Sequence, residues 1–285
     1  MAKYIILIIF FGTGCLFAQV TSDTAGIDIR RQQDSARKLI SEGNYEKAAE
    51  IARDALSRAE QENMNELIPM LMMDLADSQI GLGNYRQAES VLNRLMKIYE
   101  MEYNRLGIAD VYFKLGVLNR KRNKPETAVQ KLTRALNYYM SLEAKEKIAI
   151  TLNEMGQAYS MIQTPAAEEE EKDIPISQEL SVKEGISADI HSRADTVRKQ
   201  DTQKSKAITL LEESLKEAET LQNKQITMYN YRDLAEVYAK DGDFKKAFQY
   251  YRRYSSIRDS IFTSETQEKI AEMMAEHKSQ QQAKE

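Results

Sequence analysis

The hexapeptide Gly43-Asn44-Tyr45-Glu46-Lys47-Ala48 returns, with variation, further along the chain. Its copies are Gly83-Asn84-Tyr85-Arg86-Gln87-Ala88 and Gly242-Asp243-Phe244-Lys245-Lys246-Ala247, and the first two copies lie 40 residues apart. Apolar stretches of helical periodicity flank each copy, so each unit is predicted to be a helix, a tight turn and a second helix. Glycine suits the left-handed conformation that commonly ends a helix.

The residues around these turns resemble the tetratricopeptide repeat (TPR) family. The unit that contains Gly242 resembles the family's pattern most fully. The resemblance implies an all-α fold, a right-handed α-solenoid of stacked helix-turn-helix repeats. The positions that define the repeats are Gly43, Tyr45, Ala48, Gly83, Tyr85, Ala88, Gly116, Ala128, Gly156, Tyr159, Gly242, Phe244 and Ala247.

The repeat pattern is interrupted at two places. At the third turn, Asn123-Lys124-Pro125 replaces the glycine motif, and in the fourth unit the pattern stops after Gln163. Residues 164–203 contain four successive glutamates and no aromatic residue, which predicts a disordered acidic insertion. The 40-residue step exceeds the usual 34 residues, so longer helices or loops are expected. TPR units 1 to 3 and the first helix of unit 4 are predicted at 29–163. The second helix of unit 4 and unit 5 are predicted at 204–262, and a capping helix with a polar tail at 263–285.

The N-terminus has the features of an export signal. Lys3 precedes an apolar run, and Leu16-Phe17-Ala18 precedes a polar Gln19. We therefore expect residues 1–18 to be a cleaved signal peptide, residues 19–28 to be flexible and the protein to be periplasmic. Two alternatives are a retained, uncleaved signal and a lipid anchor on Cys15, the chain's single cysteine.

The composition disfavours catalysis and nucleic-acid binding. Only two histidines and one cysteine occur, and none of them lies in a metal-ligand or nucleophile pattern, so no enzymatic activity, metal or cofactor is expected. A formal net charge of −4 suits a nucleic-acid partner poorly. A protein or peptide partner is the remaining expectation, and the oligomeric state stays open.

The TPR resemblance also implies a concave binding face, formed by the first helix of each unit. Mixed aromatic, amide and charged groups there suit an extended peptide or a partner helix. Because Asp74 and Asp110 are acidic, a basic clamp for a terminal carboxylate is not expected. The predicted partner-binding positions are Gln33, Arg37, Met70, Met73, Asp77, Asp110, Phe113, Lys114, Val117, Asn153, Gln157, Tyr229, Arg232 and Glu236.

The segment from Tyr250 to Met273 resembles the region in exported sensor proteins of Bacteroidetes-type bacteria where TPR units lead into a membrane helix and a histidine kinase or DNA-binding module. No output domain follows in this sequence, so those activities are not implied. The function expected is an exported TPR scaffold for protein–protein interaction. The alternative is a periplasmic sensory input module for signal transduction, acting with a separate histidine kinase or transcriptional regulator.

Overall fold

The computed structural model describes residues 26–162 and 202–282, and these residues fold into α-helices joined by short turns. The chain divides into an N-terminal unit, Met1–Arg122, and a C-terminal unit, Asn123–Glu285. The N-terminal unit contains α1 (26–41), α2 (Tyr45–Gln61), α3 (Ile68–Gly81), α4 (Tyr85–Met101) and α5 (Arg105–Lys121). The C-terminal unit contains α6 (Pro125–Ser141), α7 (Lys145–Met161), α8 (202–220), α9 (Lys224–Lys240) and α10 (Phe244–Gln282).

The predicted all-α fold of stacked helix-turn-helix repeats is confirmed within each unit. In the N-terminal unit, α2 packs against α3, α3 against α4 and α4 against α5. In the C-terminal unit, α6 packs against α7, α7 against α9 and α9 against α10. The repeat-defining alanines lie in the core, since Ala48, Ala88 and Ala128 have no exposed surface.

One turn geometry connects the helices at intervals of 20 residues. Gly43 and Gly83 adopt φ values of 78° and 76°, and the turns between them and beyond place Asn63 at 54° and Tyr103 at 53°. The amide of the residue after each of these positions donates to the carbonyl five residues earlier, as in a Schellman motif. Each repeat therefore has two equivalent turns, of which the sequence revealed only the one with glycine.

The turn at Asn123 also keeps this conformation, because Asn123 has φ 57° although no glycine is present. The residues at this turn therefore differ from the glycine motif, but the backbone conformation is the same. Pro125 begins α6, where a missing amide hydrogen costs nothing. The extra length of the repeat lies in the helices, since α2, α4, α5 and α6 each have 17 residues and their turns are short.

Several predicted segments lie wholly or partly outside the described residues. The signal peptide and most of the predicted insertion 164–203 lie outside them, as do residues 19–25. Residues 26–28, expected to be flexible, belong to α1, and residues 202 and 203 belong to α8. Helix α7 packs on α8, and a Cβ added at Gly156 would lie 2.7 Å from Leu211.

The separate capping helix expected after residue 262 is not observed. A single helix, α10, runs for 39 residues from Phe244 to Gln282. Its sequence contains no glycine or proline, so nothing breaks the backbone hydrogen bonding. The C-terminal half of α10 therefore does not fold back over its own repeat.

Candidate functional site

The first helices of the repeats in the N-terminal unit are joined by charged side chains. Asp74 on α3 is buried and accepts a hydrogen bond from Gln33 Nε2 at 3.0 Å, and Arg37 Nε lies 3.2 Å from both of its carboxylate oxygens. Asp77 on the same helix forms an ion pair with Lys114 on α5, with Oδ1 and Nζ 2.6 Å apart. The helices α1, α3 and α5 are thus linked by polar contacts along one face.

The environment of Asp74 opposes its ionisation. Burial raises the pKa of the Asp74 carboxyl above its ordinary value, although the hydrogen bond from Gln33 and the positive charge of Arg37 act in the opposite direction. Three of the predicted partner-binding residues contact this pair of aspartates, because Gln33 and Arg37 both bind Asp74 and Lys114 binds Asp77.

A buried hydrogen-bond network joins α7 to α9 in the C-terminal unit. Asn153 Nδ2 and Gln157 Nε2 donate to Asp233 Oδ2 at 2.9 and 2.8 Å, and Arg232 Nε donates to Asp233 Oδ1 at 2.9 Å. Asn153 also donates to Asn230 Oδ1 at 2.9 Å. Every oxygen of the buried Asp233 carboxylate is thus matched by donors, which offsets the cost of removing the charge from water.

These contacts occupy equivalent positions of successive repeats. The pairs Arg37–Asp74 and Asp77–Lys114 both join residues 37 positions apart. Gln157–Asp233 is the corresponding pair across the insertion, where the separation is 76 positions. Within each unit these helices therefore contact one another through equivalent positions, although in the C-terminal unit the uncharged Gln157 takes the place of a charged residue.

The predicted partner-binding residues divide into two groups. The contacts between helices described above are made by Gln33, Arg37, Asp77, Lys114, Asn153 and Gln157. The others are at least partly accessible to solvent; they are Met70, Met73, Asp110, Phe113, Val117, Tyr229, Arg232 and Glu236.

Two of these accessible residues make contacts of their own in the C-terminal unit. The Arg232 guanidinium, besides donating to Asp233, lies 5.4 Å from the centre of the Tyr229 ring. The sequence prediction missed Asp74 and Asp233 as the central acceptors of the two units. The signal that could have found Asp74 is the repeated separation of a basic and an acidic residue by 37 positions. No such spacing marks Asp233, whose partners on α7 are amides.

The structure also shows why the repeat-defining residues recur. The Tyr45 ring covers Gly81, where an added Cβ would lie 2.4 Å from the ring, and the Tyr85 hydroxyl donates to the Lys121 carbonyl at 3.2 Å. Lys206 Nζ lies 4.8 Å from the centre of the Tyr159 ring. Phe244 differs from Tyr45 and Tyr85, because its side chain is largely exposed.

A known family model matches part of the N-terminal half of the chain. Residues 67–141 match the family model described as tetratricopeptide repeat. This part of the chain therefore contains TPR repeats, a fold suited to a protein–protein interaction scaffold. No curated protein sequence matches it.

Two solved structures share this fold. BtubC (BKLC) from P. vanneervenii has a TM-score of 0.51 at 19% identity, and the alignment covers 84% of this chain and 92% of that one. A candidate kinesin light chain from Podosopora anserina, with nearly identical TPR-like repeats, has a TM-score of 0.51 at 14% identity, covering 82% of this chain and 96% of that one. At such identities the likeness concerns the fold alone.

No helix within residues 26–162 and 202–282 has the length and apolarity needed to cross a membrane.

Proposed function

We propose that the face of the N-terminal unit formed by α1, α3 and α5 binds a polypeptide partner through apolar contacts. The observation that carries this proposal is the pairing of the charged groups on that face. Asp74 is bound by Arg37, and Asp77 by Lys114. A charged partner would have to break these pairs, whereas an apolar side chain could lie between them.

Apolar side chains occur beside the paired charges. Met73 and Phe113 occupy equivalent positions one repeat apart, on α3 and α5, and both are partly exposed. Met70 and Val117 are also partly exposed, one helical turn away on each helix. Methionine and aromatic side chains make adaptable and strong apolar contacts. An amphipathic helix or an extended peptide with apolar side chains fits this surface.

A photo-crosslinking amino acid placed at position 113 in the native cell tests this proposal. A matched control places the same amino acid at Tyr103, an aromatic position in the same unit that is 89% exposed on a turn. An adduct at position 113 that is absent at position 103 supports the proposed surface. Equal adducts at both positions, or adducts at 103 only, would contradict it.

Substitutions then separate binding from folding. In a pull-down without cross-linking, Met70→Ala with Phe113→Ala should abolish recovery of the partner that the cross-linking identified. The control, Met101→Ala with Tyr103→Ala, removes comparable side chains from the exposed end of α4 and its turn, and recovery should be unchanged. Thermal melting followed by circular dichroism should give similar melting temperatures for the two double variants, so that a loss of recovery reflects binding and not unfolding.

We further propose that the protein is exported to the periplasm, which rests on the apolar run after Lys3 and the polar Gln19 that follows Ala18. Fractionation should recover it in the periplasm, and N-terminal sequencing should begin at Gln19. A membrane-bound protein that retains residues 1–18 would favour the uncleaved signal, and one that begins at a lipid-modified Cys15 would favour the lipid anchor.

The alternative role, sensory input to a separate kinase or regulator, rests on the resemblance of the segment from Tyr250 to Met273, which lies within α10. The identity of the cross-linked partner distinguishes the two roles. A histidine kinase or transcriptional regulator at position 113 would favour the sensory role, and any other protein would favour the scaffold.

A further inference from the structure

One face of α10 carries large apolar side chains in contact with solvent. Phe244, Phe248, Tyr251 and Phe262 are 71%, 63%, 54% and 69% exposed. Their spacing places them along one stripe of the helix, since residues four, seven and eighteen positions apart share a face. A different stripe of α10, which includes Tyr250, packs in the core with Tyr231 and Tyr238 of α9.

Equivalent stripes on the other second helices are covered. Tyr251 occupies the position that Ala52 has in α2 and Leu92 has in α4, and both of those residues are fully buried. The next helix along the chain packs against the same stripe, since Tyr45 and Tyr85, the equivalents of Phe244, contact Gly81 and Lys121. On α10 the described part of the chain supplies no such helix, so the stripe has the shape and chemistry of a helix-binding surface without its helix.

The charges of α10 are separated along its length. From Phe244 to Arg258 the sequence carries five basic residues and no acidic residue. From Asp259 to Glu276 it carries five acidic residues and a single lysine. One half of this helix is therefore complementary in charge to the other half, and the boundary lies between Arg258 and Asp259.

We propose that the stripe on α10 binds α10 of a second copy of this chain, antiparallel, about a two-fold axis between Arg258 and Asp259. In this register Phe244 lies opposite Met273, and Phe262 lies opposite the small Ser255. Met273 is 68% exposed and therefore available for the contact. The same surface patch is used by both copies, as a two-fold interface requires.

The antiparallel orientation follows from the charges. It places the basic half of each helix beside the acidic half of its partner, whereas a parallel pair would oppose like charges along its whole length. It also places the C-terminal half of α10 over Phe244, Phe248 and Tyr251 of the other copy. That segment would then serve the capping role expected from the sequence, but on the partner's repeat.

Measurement of molar mass on the full chain by sedimentation and light scattering tests the association. A dimer is expected at micromolar concentration, and Phe248→Glu should raise its dissociation constant by roughly 30-fold or more, the scale for an aromatic residue central to an interface. The matched control is Met101→Glu, at an exposed position on α4 of the N-terminal unit, which should leave the dimer intact. A wild-type chain that remains monomeric up to about a hundredfold higher concentration, or a heterologous partner seated on this stripe, would overturn the proposal.

Charge reversal tests the source of the orientation. Lys245→Glu with Arg252→Glu should weaken the dimer, and adding Glu272→Lys with Glu265→Lys, at the positions opposite them in this register, should restore it. Restoration would not occur if the substitutions acted only by destabilising the helix. Failure of the fourfold variant to recover dimerisation, while its helix content by circular dichroism is unchanged, would contradict the pairing of opposite halves.

Disulfide formation tests the register directly in a Cys15→Ser background. Arg258→Cys lies beside the proposed axis and should cross-link the two copies on mild oxidation. Met273→Cys should not, because antiparallel copies of residue 273 would lie 29 residues apart along the helices, or about 44 Å at 1.5 Å per residue. A parallel pair would cross-link at both positions, and such a result would overturn the antiparallel arrangement.

Discussion

Asp77 Oδ1 and Lys114 Nζ lie 2.6 Å apart, in the same relationship that joins Arg37 Nε to Asp74 Oδ2 at 3.2 Å. The basic residue precedes the acidic residue in one pair and follows it in the other. Both pairs are attractive, but the acidic residue lies on the later helix in the Arg37–Asp74 pair and on the earlier helix in the Asp77–Lys114 pair. The contact between α1 and α3 therefore differs in charge order from the contact between α3 and α5. Such pairs therefore favour one order of packing between helices whose apolar surfaces are similar.

The Asp77–Lys114 pair is predicted to stabilise the N-terminal unit by about 1 kcal/mol. Both side chains are about one-quarter exposed, so solvent screens the pair less than an exposed one. A double-mutant cycle with Asp77→Ala and Lys114→Ala, read from urea unfolding, measures this coupling. The control is Arg94–Glu60, whose side chains are 57% and 38% exposed, and whose coupling should be smaller and more sensitive to salt. A larger coupling for the control pair would show that exposure does not set the strength of these contacts.

The raised pKa of Asp74 predicts how its contribution to stability depends on pH. Because the folded state favours the protonated carboxyl, this group stabilises folding most below its ordinary pKa of 3.8, and that contribution is lost as the pH rises through the folded value. The free energy of unfolding of the wild type relative to Asp74→Asn should therefore increase as the pH falls from 7 towards 3.8. Urea unfolding of both proteins over this range makes the measurement. The reverse trend would show that Gln33 and Arg37 outweigh burial.

Removal of the Asp233 carboxylate is predicted to destabilise the C-terminal unit by about 3 kcal/mol. Asp233→Ala leaves the amide groups of Asn153 and Gln157 without their common acceptor in a buried place. The exposed Glu236, on the same helix, serves as the control, since Glu236→Ala should change the free energy of unfolding by less than about 0.5 kcal/mol. Chemical denaturation followed by circular dichroism compares the two. Similar losses in both variants would mean that the hydrogen-bond network contributes no more than an ordinary surface residue.

The sequence predicted the helices and the glycine turns because apolar periodicity and glycine are local signals. It did not predict the turns at Tyr103 or Glu143, where packing of the flanking helices holds a residue without glycine's freedom at positive φ. Asp74 was assigned to no contact, because its partners on α1 are far away in sequence. The continuity of α10 was not predicted, although its sequence contains no glycine or proline. The TPR resemblance instead led to the expectation of a separate capping helix. Local sequence signals thus predict the helices and turns. The contacts at the candidate site depend on how distant helices are aligned, which those signals do not give.

The turn at Tyr103 leads to a prediction about backbone strain. Tyr103 has φ 53° and its side chain is 89% exposed, so replacing it removes strain and almost no packing. A left-handed conformation costs a residue with a side chain about 1 to 2 kcal/mol, and the greater flexibility of glycine in the unfolded chain offsets part of that gain. Tyr103→Gly should therefore raise the free energy of unfolding by about 0.5 kcal/mol, measured by thermal or urea unfolding. Met101→Gly, two residues earlier at the end of α4, is the control and should lower it by up to about 1 kcal/mol, because glycine disfavours helix. If Tyr103→Gly were as destabilising as the control, the tyrosine side chain would have to contribute a contact that its exposure does not suggest.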